Sequence, residues 1–203
     1  MKIVCIGRNY AEHAKELNNP IPTEPLFFIK PDSAVLRNND DFYLPDFSKD
    51  VHYEVEIFVK IHKKGKNIEE NFAPNYYKEI GIGIDITARD IQQKCKEKGL
   101  PWEKAKGFDG SAPMSKTLPL SDFGDVNAIN FELHINGTVV QKGFTGDMIF
   151  NVNQIIAEAS KFFMFKIGDV VFTGTPKGVG KLNVGDRLEA YIEDKKMMDF
   201  CIK

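Results

Sequence analysis

Apolar residues fall at every second position in VHYEVEIFVK (residues 51–60), where Val51, Tyr53, Val55, Ile57 and Val59 alternate with His52, Glu54, Glu56, Phe58 and Lys60. A period of two is the pattern of a strand with one face against a core. The same alternation flanks Asn136-Gly137 in NFELHINGTVVQKG (130–143), and Asn-Gly between two such runs predicts a β-hairpin. Further strands are predicted at residues 2–7, LFFIKP (26–31), EIGIGIDIT (79–87), DVVFTG (169–174) and DRLEAYIED (186–194). Helical spacing is confined to three short segments: NYAEHAKEL with Asn9 as cap, ARDIQQKCKEKG with Ile91 and Cys95 on its apolar face, and NVNQIIAEASKFF. NNPIPTEP (18–25), residues 38–49 and WEKAKGFDGSAPMS (102–115) are expected to be loops. Strands outnumber helices and hairpins outnumber βαβ units. The expected architecture is therefore a single α+β, mainly β domain over residues 1–203, a curved sandwich or roll with short peripheral helices.

Composition narrows the function. The 203 residues are 42% hydrophobic and carry a net charge of −2, ordinary for a globular protein and without the basic excess of a nucleic-acid or membrane-surface binder. MKIVCIGRNY is too short an apolar run for a signal peptide or a membrane helix. Three scattered cysteines, Cys5, Cys95 and Cys201, form neither a zinc spacing nor a disulfide framework, so a cytoplasmic setting is expected.

The polar face of the 51–60 strand raises the chemical question. His52, Glu54 and Glu56 share it, with the two carboxylates roughly 7 Å apart at the backbone. Taken alone, the strand favours a solvated face. Asp85, at the end of IGIGID, supplies a third carboxylate, and the neighbouring glycines would let a backbone or ligand come close. Asp85 could instead cap a helix beginning near Thr87. Three carboxylates offer only oxygen, which suits Mg²⁺, Mn²⁺ or Ca²⁺ rather than zinc. His13 and Glu16, three apart on a short helix, can form a base whose tautomer is set by the carboxylate, or a surface pair. Arg8 could grip a substrate carboxylate, and Lys104 or Lys106 could stabilise developing negative charge. FTGTPKGVG (172–180) does not match a phosphate loop, but its backbone N–H groups and Thr175 could hold a carboxylate.

GRNYAEHAKEL, HYEVE, GIDITARDIQ, KGLPWEKAKGFDGSAP, TGDMIF and FTGTPKGVG occur in that order. Together they resemble the fumarylacetoacetate hydrolase family, in particular its short acylpyruvase and oxaloacetate decarboxylase branch. The resemblance implies a mixed β-sandwich roll, usually a homodimer, with one Mg²⁺ or Mn²⁺ per subunit held by Glu54, Glu56 and Asp85. It implies Lys106 rather than Lys104 as the catalytic lysine and His13 with Glu16 as the base. Arg8, Arg89, Gln92 and Thr175 are implied to line the substrate pocket, with walls from loops 18–25, 107–112 and 143–147. The implied activity is cleavage of a C–C bond in a small 2-oxo acid, by acylpyruvate hydrolysis or oxaloacetate decarboxylation, through a pyruvate enolate that the metal and Lys106 stabilise. The alternatives are an isomerase or tautomerase of 2-oxo and 2-hydroxy diacids, and a non-catalytic protein that binds the metal or the acid. His52 is expected beside the site without being a ligand.

Overall fold

Asn136 (φ 52°) and Gly137 (φ 78°) both adopt left-handed backbone, as a tight type I′ turn requires. They join Asn130–Ile135 to Thr138–Phe144 as the expected antiparallel hairpin. With Arg187–Ile192 and Lys195–Cys201 this hairpin completes a four-stranded antiparallel sheet. The computed structural model describes residues 1–17 and 19–203; residue 18, in the NNPIPTEP stretch and at the edge of the 18–25 loop expected to wall the pocket, lies outside the described residues.

A second, six-stranded sheet runs in the order Leu26–Lys30, Ile3–Gly7, Val170–Phe172, Val55–Ile61, Tyr77–Ile84, Leu118–Pro119. Only the Ile3–Gly7 and Val170–Phe172 pairing is parallel in it. The two sheets close on one apolar core that includes Ile57, Ile80, Ile82, Phe131, Leu133, Leu188 and Phe200. A smaller cluster of Ile3, Cys5, Phe58, Val170 and Phe172 covers the opposite face of the six-stranded sheet. That sheet is thus buried on both sides, which is why its central strands carry apolar residues at nearly every position.

This double burial corrects the reading of residues 51–60. They do not form one half-wet strand. Val51–Tyr53 belongs to a small sheet with Gly180–Lys181 and Thr87–Ala88, while Val55–Ile61 belongs to the six-stranded sheet. The chain changes sheets at Glu54. The face carrying Glu54, Glu56 and Phe58 is buried, with exposures of 5%, 1% and 0%.

Among the described residues four short α-helices lie at the periphery: α1 (Ala11–Glu16), α2 (Arg89–Lys98), α3 (Glu103–Lys106) and α4 (Val152–Phe162). In α4 the Asn151 side chain accepts from the Gln154 N–H and the Gln154 side chain accepts from the Asn151 N–H, a reciprocal cap. Two helix details depart from expectation. Asn9 does not cap α1. It is fully buried, donates to the Phe150 and Thr173 carbonyls and accepts from the Phe150 N–H, tying three segments together. In α2 the buried pair is Gln92 and Cys95, with Ile91 half-buried. The segment expected as a loop at 102–115 contains α3, a single turn. Among the described residues no helix is long and apolar enough to cross a membrane.

Candidate active site

The switch at Glu54 and the end of the Tyr77–Ile84 strand bring the three carboxylates together. The Asp85 N–H donates to the Glu54 carbonyl at 2.8 Å, and Glu56 stands in register with Gly83. One carboxylate oxygen from each of Glu54, Glu56 and Asp85 lies within 4.8 Å of the others, and all three side chains are buried. Asp85 does not cap α2, whose N-terminal flank, Ala88, has no side-chain cap.

Lys106, at the end of α3, reaches into this group. Its Nζ donates to Glu54 Oε2 (2.8 Å), Asp85 Oδ2 (2.6 Å) and Thr87 Oγ1 (2.6 Å), using all three N–H bonds. Burial acts to lower the Lys106 pKa, but Asp85 and Glu54 outweigh it and hold it above the ordinary lysine value. The two glutamates are pushed apart. Burial favours the neutral form of Glu54, yet the Lys106 and Arg89 charges hold its pKa well below the usual range. Glu56 is driven well above it by burial and by the Asp85 and Glu54 charges, which outweigh the Gly174 N–H, 2.7 Å away, and the Lys106 charge.

These residues fit a hard divalent cation. The donor set is oxygen only. Like charges crowd Glu56, which a cation relieves. Asp85 Oδ1 accepts no hydrogen bond although it is buried; Lys30 Nζ stands 2.8 Å away but outside hydrogen-bond alignment.

Lys30 is the residue that the sequence reading missed. It is fully buried and its ammonium donates to the carbonyls of Ile86 (3.2 Å), Ser111 (2.8 Å) and Lys106, and to Ser111 Oγ (3.1 Å). It holds α3, the 108–111 turn and Asp85 to one another. A lysine ending the apolar run LFFI is the one signal that could have pointed to it. Gln141 was missed too: its side chain accepts from the Val55 N–H and donates to Thr175 Oγ1 and the Pro176 carbonyl, fastening the TPK loop to the strand that carries Glu56.

The remaining candidates fall around this centre. His13 is buried, with Nδ1 3.1 Å from Glu16 Oε2, and close enough for its charge to bear on Glu54. Glu16 Oε1 accepts from the Gly178 N–H at 3.0 Å, so the dyad is anchored to the glycine-rich loop. Arg89 donates to Glu54 Oε1 and, at 2.7 Å, to Gln92 Oε1. Thr175 is buried with its hydroxyl held by Gln141. Arg8 has a left-handed φ of 61°, unusual for a side-chain-bearing residue and commonest where function constrains the backbone. His52 bonds Asp50 at 2.9 Å and stands outside the carboxylate cluster. Tyr10 Oη is enclosed without a partner among the described residues, and burial with the Glu56 and Asp147 charges keeps its proton on. A roomier cavity of about 720 Å³, bordered by Glu24, Glu69 and Glu158, contains none of these groups.

Residues 2–202 match the family described as fumarylacetoacetate (FAA) hydrolase C-terminal. The chain is 40% identical over 201 residues to the oxaloacetate tautomerase FAHD1, mitochondrial, of Mus musculus, a match covering 99% of this chain and 91% of that protein. It is 44% identical over 188 residues to the oxaloacetate tautomerase YcgM of Escherichia coli, covering 92% and 86%. Among solved structures, a fumarylpyruvate hydrolase from Pseudomonas aeruginosa in complex with Mn²⁺ and pyruvate superposes with a TM-score of 0.94 at 33% identity, covering 100% of this chain and 89% of that one.

Proposed function

The chain belongs to the fumarylacetoacetate hydrolase family, and we propose that it is a divalent-metal-dependent enzyme that moves a proton at C3 of a small 2-oxo diacid, interconverting the keto and enol forms of oxaloacetate. The observation that carries this is the buried group of Glu54, Glu56 and Asp85 with the Lys106 ammonium set among them. Glu54, Glu56 and Asp85 would hold Mg²⁺ or Mn²⁺, which when bound supplies Lewis-acid polarisation of the substrate's 2-oxo oxygen. The names of the relatives at 40% and 44% identity support oxaloacetate as the substrate.

The protein's own groups divide the work. Glu16 fixes the proton of His13 on Nδ1 and leaves Nε2 as the base. That nitrogen takes the C3 proton; the C–H pair becomes the C2–C3 double bond, and the 2-oxo oxygen gains charge. The Lys106 ammonium, held among the carboxylates, supplies a fixed positive charge that favours it. Return of that proton from His13 to the oxygen, directly or through water, gives the enol and restores the neutral base, and the reverse sequence gives the ketone. Arg89, pinned to Glu54, orients one carboxylate of the cluster, and Gln92 and Thr175 stand ready to hydrogen-bond the acid.

The His13–Glu16 dyad also favours a second reading. The same base can take a proton from water, which would attack the distal carbonyl of an acylpyruvate, as suits the similarity to a fumarylpyruvate hydrolase. The two are separated by following enol absorbance and pyruvate release together, with Mn²⁺ or Mg²⁺ present. Tautomerisation predicts faster keto–enol equilibration of oxaloacetate without pyruvate. His13→Ala should slow it roughly 100-fold or more, and EDTA should abolish it. Pyruvate from oxaloacetate would indicate decarboxylation, and pyruvate from acetylpyruvate hydrolysis. No turnover of either acid with either metal would sink both readings.

A further inference from the structure

The charges around the carboxylate cluster do not stop at balance. Glu54 and Asp85 are contacted by three cations, Lys30, Lys106 and Arg89. Beyond these lie two more, Arg8 and Lys96, both half-buried and neither with an ion-pair partner among the described residues. Helix α2 places Lys96 on the site side: Arg89, Gln92 and Lys96 follow at spacings of three and four, which puts them on one helix face. Arg89 reaches Glu54 and also donates to Gln92. Lys96 Nζ stands over the Trp102 ring, 5.9 Å from its centroid. The same ring approaches Gly7, the residue before Arg8, where a Cβ would lie 3.9 Å from Trp102 Cζ3. Trp102 therefore lies beside both Lys96 and Gly7, the residue before Arg8.

Two unneutralised cations beside a site that also takes a divalent ion make a place for more negative charge than one carboxylate provides. We propose that Lys96, together with Arg8, forms a subsite for the distal carboxylate of the substrate, and that Lys96 makes the site select diacids over 2-oxo acids with one carboxylate. This rests on the reading of the site as one for a 2-oxo acid and names a residue for its substrate class. Burial and then the charges of Arg8 and Arg89 lower the Lys96 pKa, outweighing the opposing charge of Glu54, as expected of crowded cations. The backbone of Arg8, held in a left-handed conformation, is the other half of the arrangement.

The test uses L-malate and L-lactate, which share a 2-hydroxy acid and differ only in the distal carboxylate. Calorimetric binding of each to the Mn²⁺-loaded wild-type protein, Lys96→Met and Lys96→Arg gives the malate-to-lactate affinity ratio. Lys96→Met, which keeps the apolar stem, should lower that ratio roughly 10- to 100-fold, the range for a charged hydrogen bond. Lys96→Arg should restore most of it. The ratio of kcat/KM for oxaloacetate to that for acetylpyruvate should fall in parallel. A wild type that does not prefer malate, or a Met variant that weakens both acids alike or neither, would overturn the proposal. Binding of malate and lactate does not depend on which reaction the site runs, so absence of turnover would count against the tautomerase reading while the binding ratio still decides the subsite.

Discussion

A fully buried ammonium is stable only where acceptors or counter-charge surround it, and Lys30 meets that condition with three carbonyls and a hydroxyl as acceptors and the Asp85 carboxylate as counter-charge. Replacing it by Met keeps the stem but leaves Asp85 short of a counter-charge, the Ile86 carbonyl without its donor, and the Lys106 and Ser111 carbonyls with one donor fewer. The expected loss is roughly 3–5 kcal/mol of stability, read from urea unfolding, together with reduced kcat because Lys106 is carried on the turn that Lys30 fastens. A variant as stable as wild type would show that the buried network is dispensable. At this scale the sequence was legible where chemistry is unusual. Glu54 and Glu56 alone read as a solvated face and Asp85 alone as a helix cap; it is the third carboxylate and the order of the motifs that point to one group, and the fold brings the three within 4.8 Å. Lys30 and Asn9 were not legible as buried, because each has a common surface role, as the charged end of a strand or the cap of a helix. Only the tertiary position of their acceptors reveals the other.

Strand segments were legible from their period, but not which sheet each joins. The hairpin at Asn136-Gly137 could be placed because its partner is local. The change of sheet at Glu54 could not, since it depends on Thr87–Ala88 and Gly180–Lys181 coming from far along the chain. The glycines of EIGIGIDIT show the same limit. They were expected to admit a ligand or backbone; what they chiefly admit is aromatic rings. A Cβ at Gly81 would lie 2.3 Å from Phe58 Cζ, and one at Gly83 would lie 2.5 Å from Phe172 Cζ and 3.1 Å from the Pro113 carbonyl. Phe58 and Phe172 are both fully buried and stacked with centroids 5.5 Å apart, so neither ring can retreat freely. Gly83→Ala is therefore expected to cost roughly 1–3 kcal/mol from overpacking and, two residues from Asp85, to weaken Mn²⁺ binding. Phe172→Leu in the same chain should recover part of the stability. If Gly83→Ala alone unfolds at the wild-type urea midpoint, the strand is not packed this tightly.

The whole molecule is closed by contacts between segments far apart in the chain, residues 2–7 and 166–172. Ile3–Gly7 pairs in parallel with Val170–Phe172, a separation that no local signal specifies and that slows folding through loop-closure entropy. Asp169 secures that closure: it accepts from the Lys2 and Lys166 N–H groups at 3.0 and 2.8 Å and is ion-paired with Lys2 Nζ, while its side chain is 3% exposed. The same strand delivers Gly174, whose N–H holds Glu56, so the closure also supports the candidate site. Burial would raise the Asp169 pKa, but the bonds from Lys2 and Lys166 outweigh it and hold it below the ordinary 3.8. A depressed carboxylate stabilises the fold above its unfolded pKa and loses that contribution as pH falls through the folded value. Asp169→Asn should thus be less stable than wild type by roughly 1.5–3 kcal/mol at neutral pH, the range for hydrogen bonds to a charged group. The gap should hold down to about pH 5 and narrow below about pH 4, as the wild-type carboxyl is protonated and comes to resemble the amide. Urea unfolding of both proteins at neutral pH and near pH 3 measures it. A gap of the same size at both would mean that Asp169 acts through its shape and neutral hydrogen bonds, and that its charge contributes nothing to holding the two segments together.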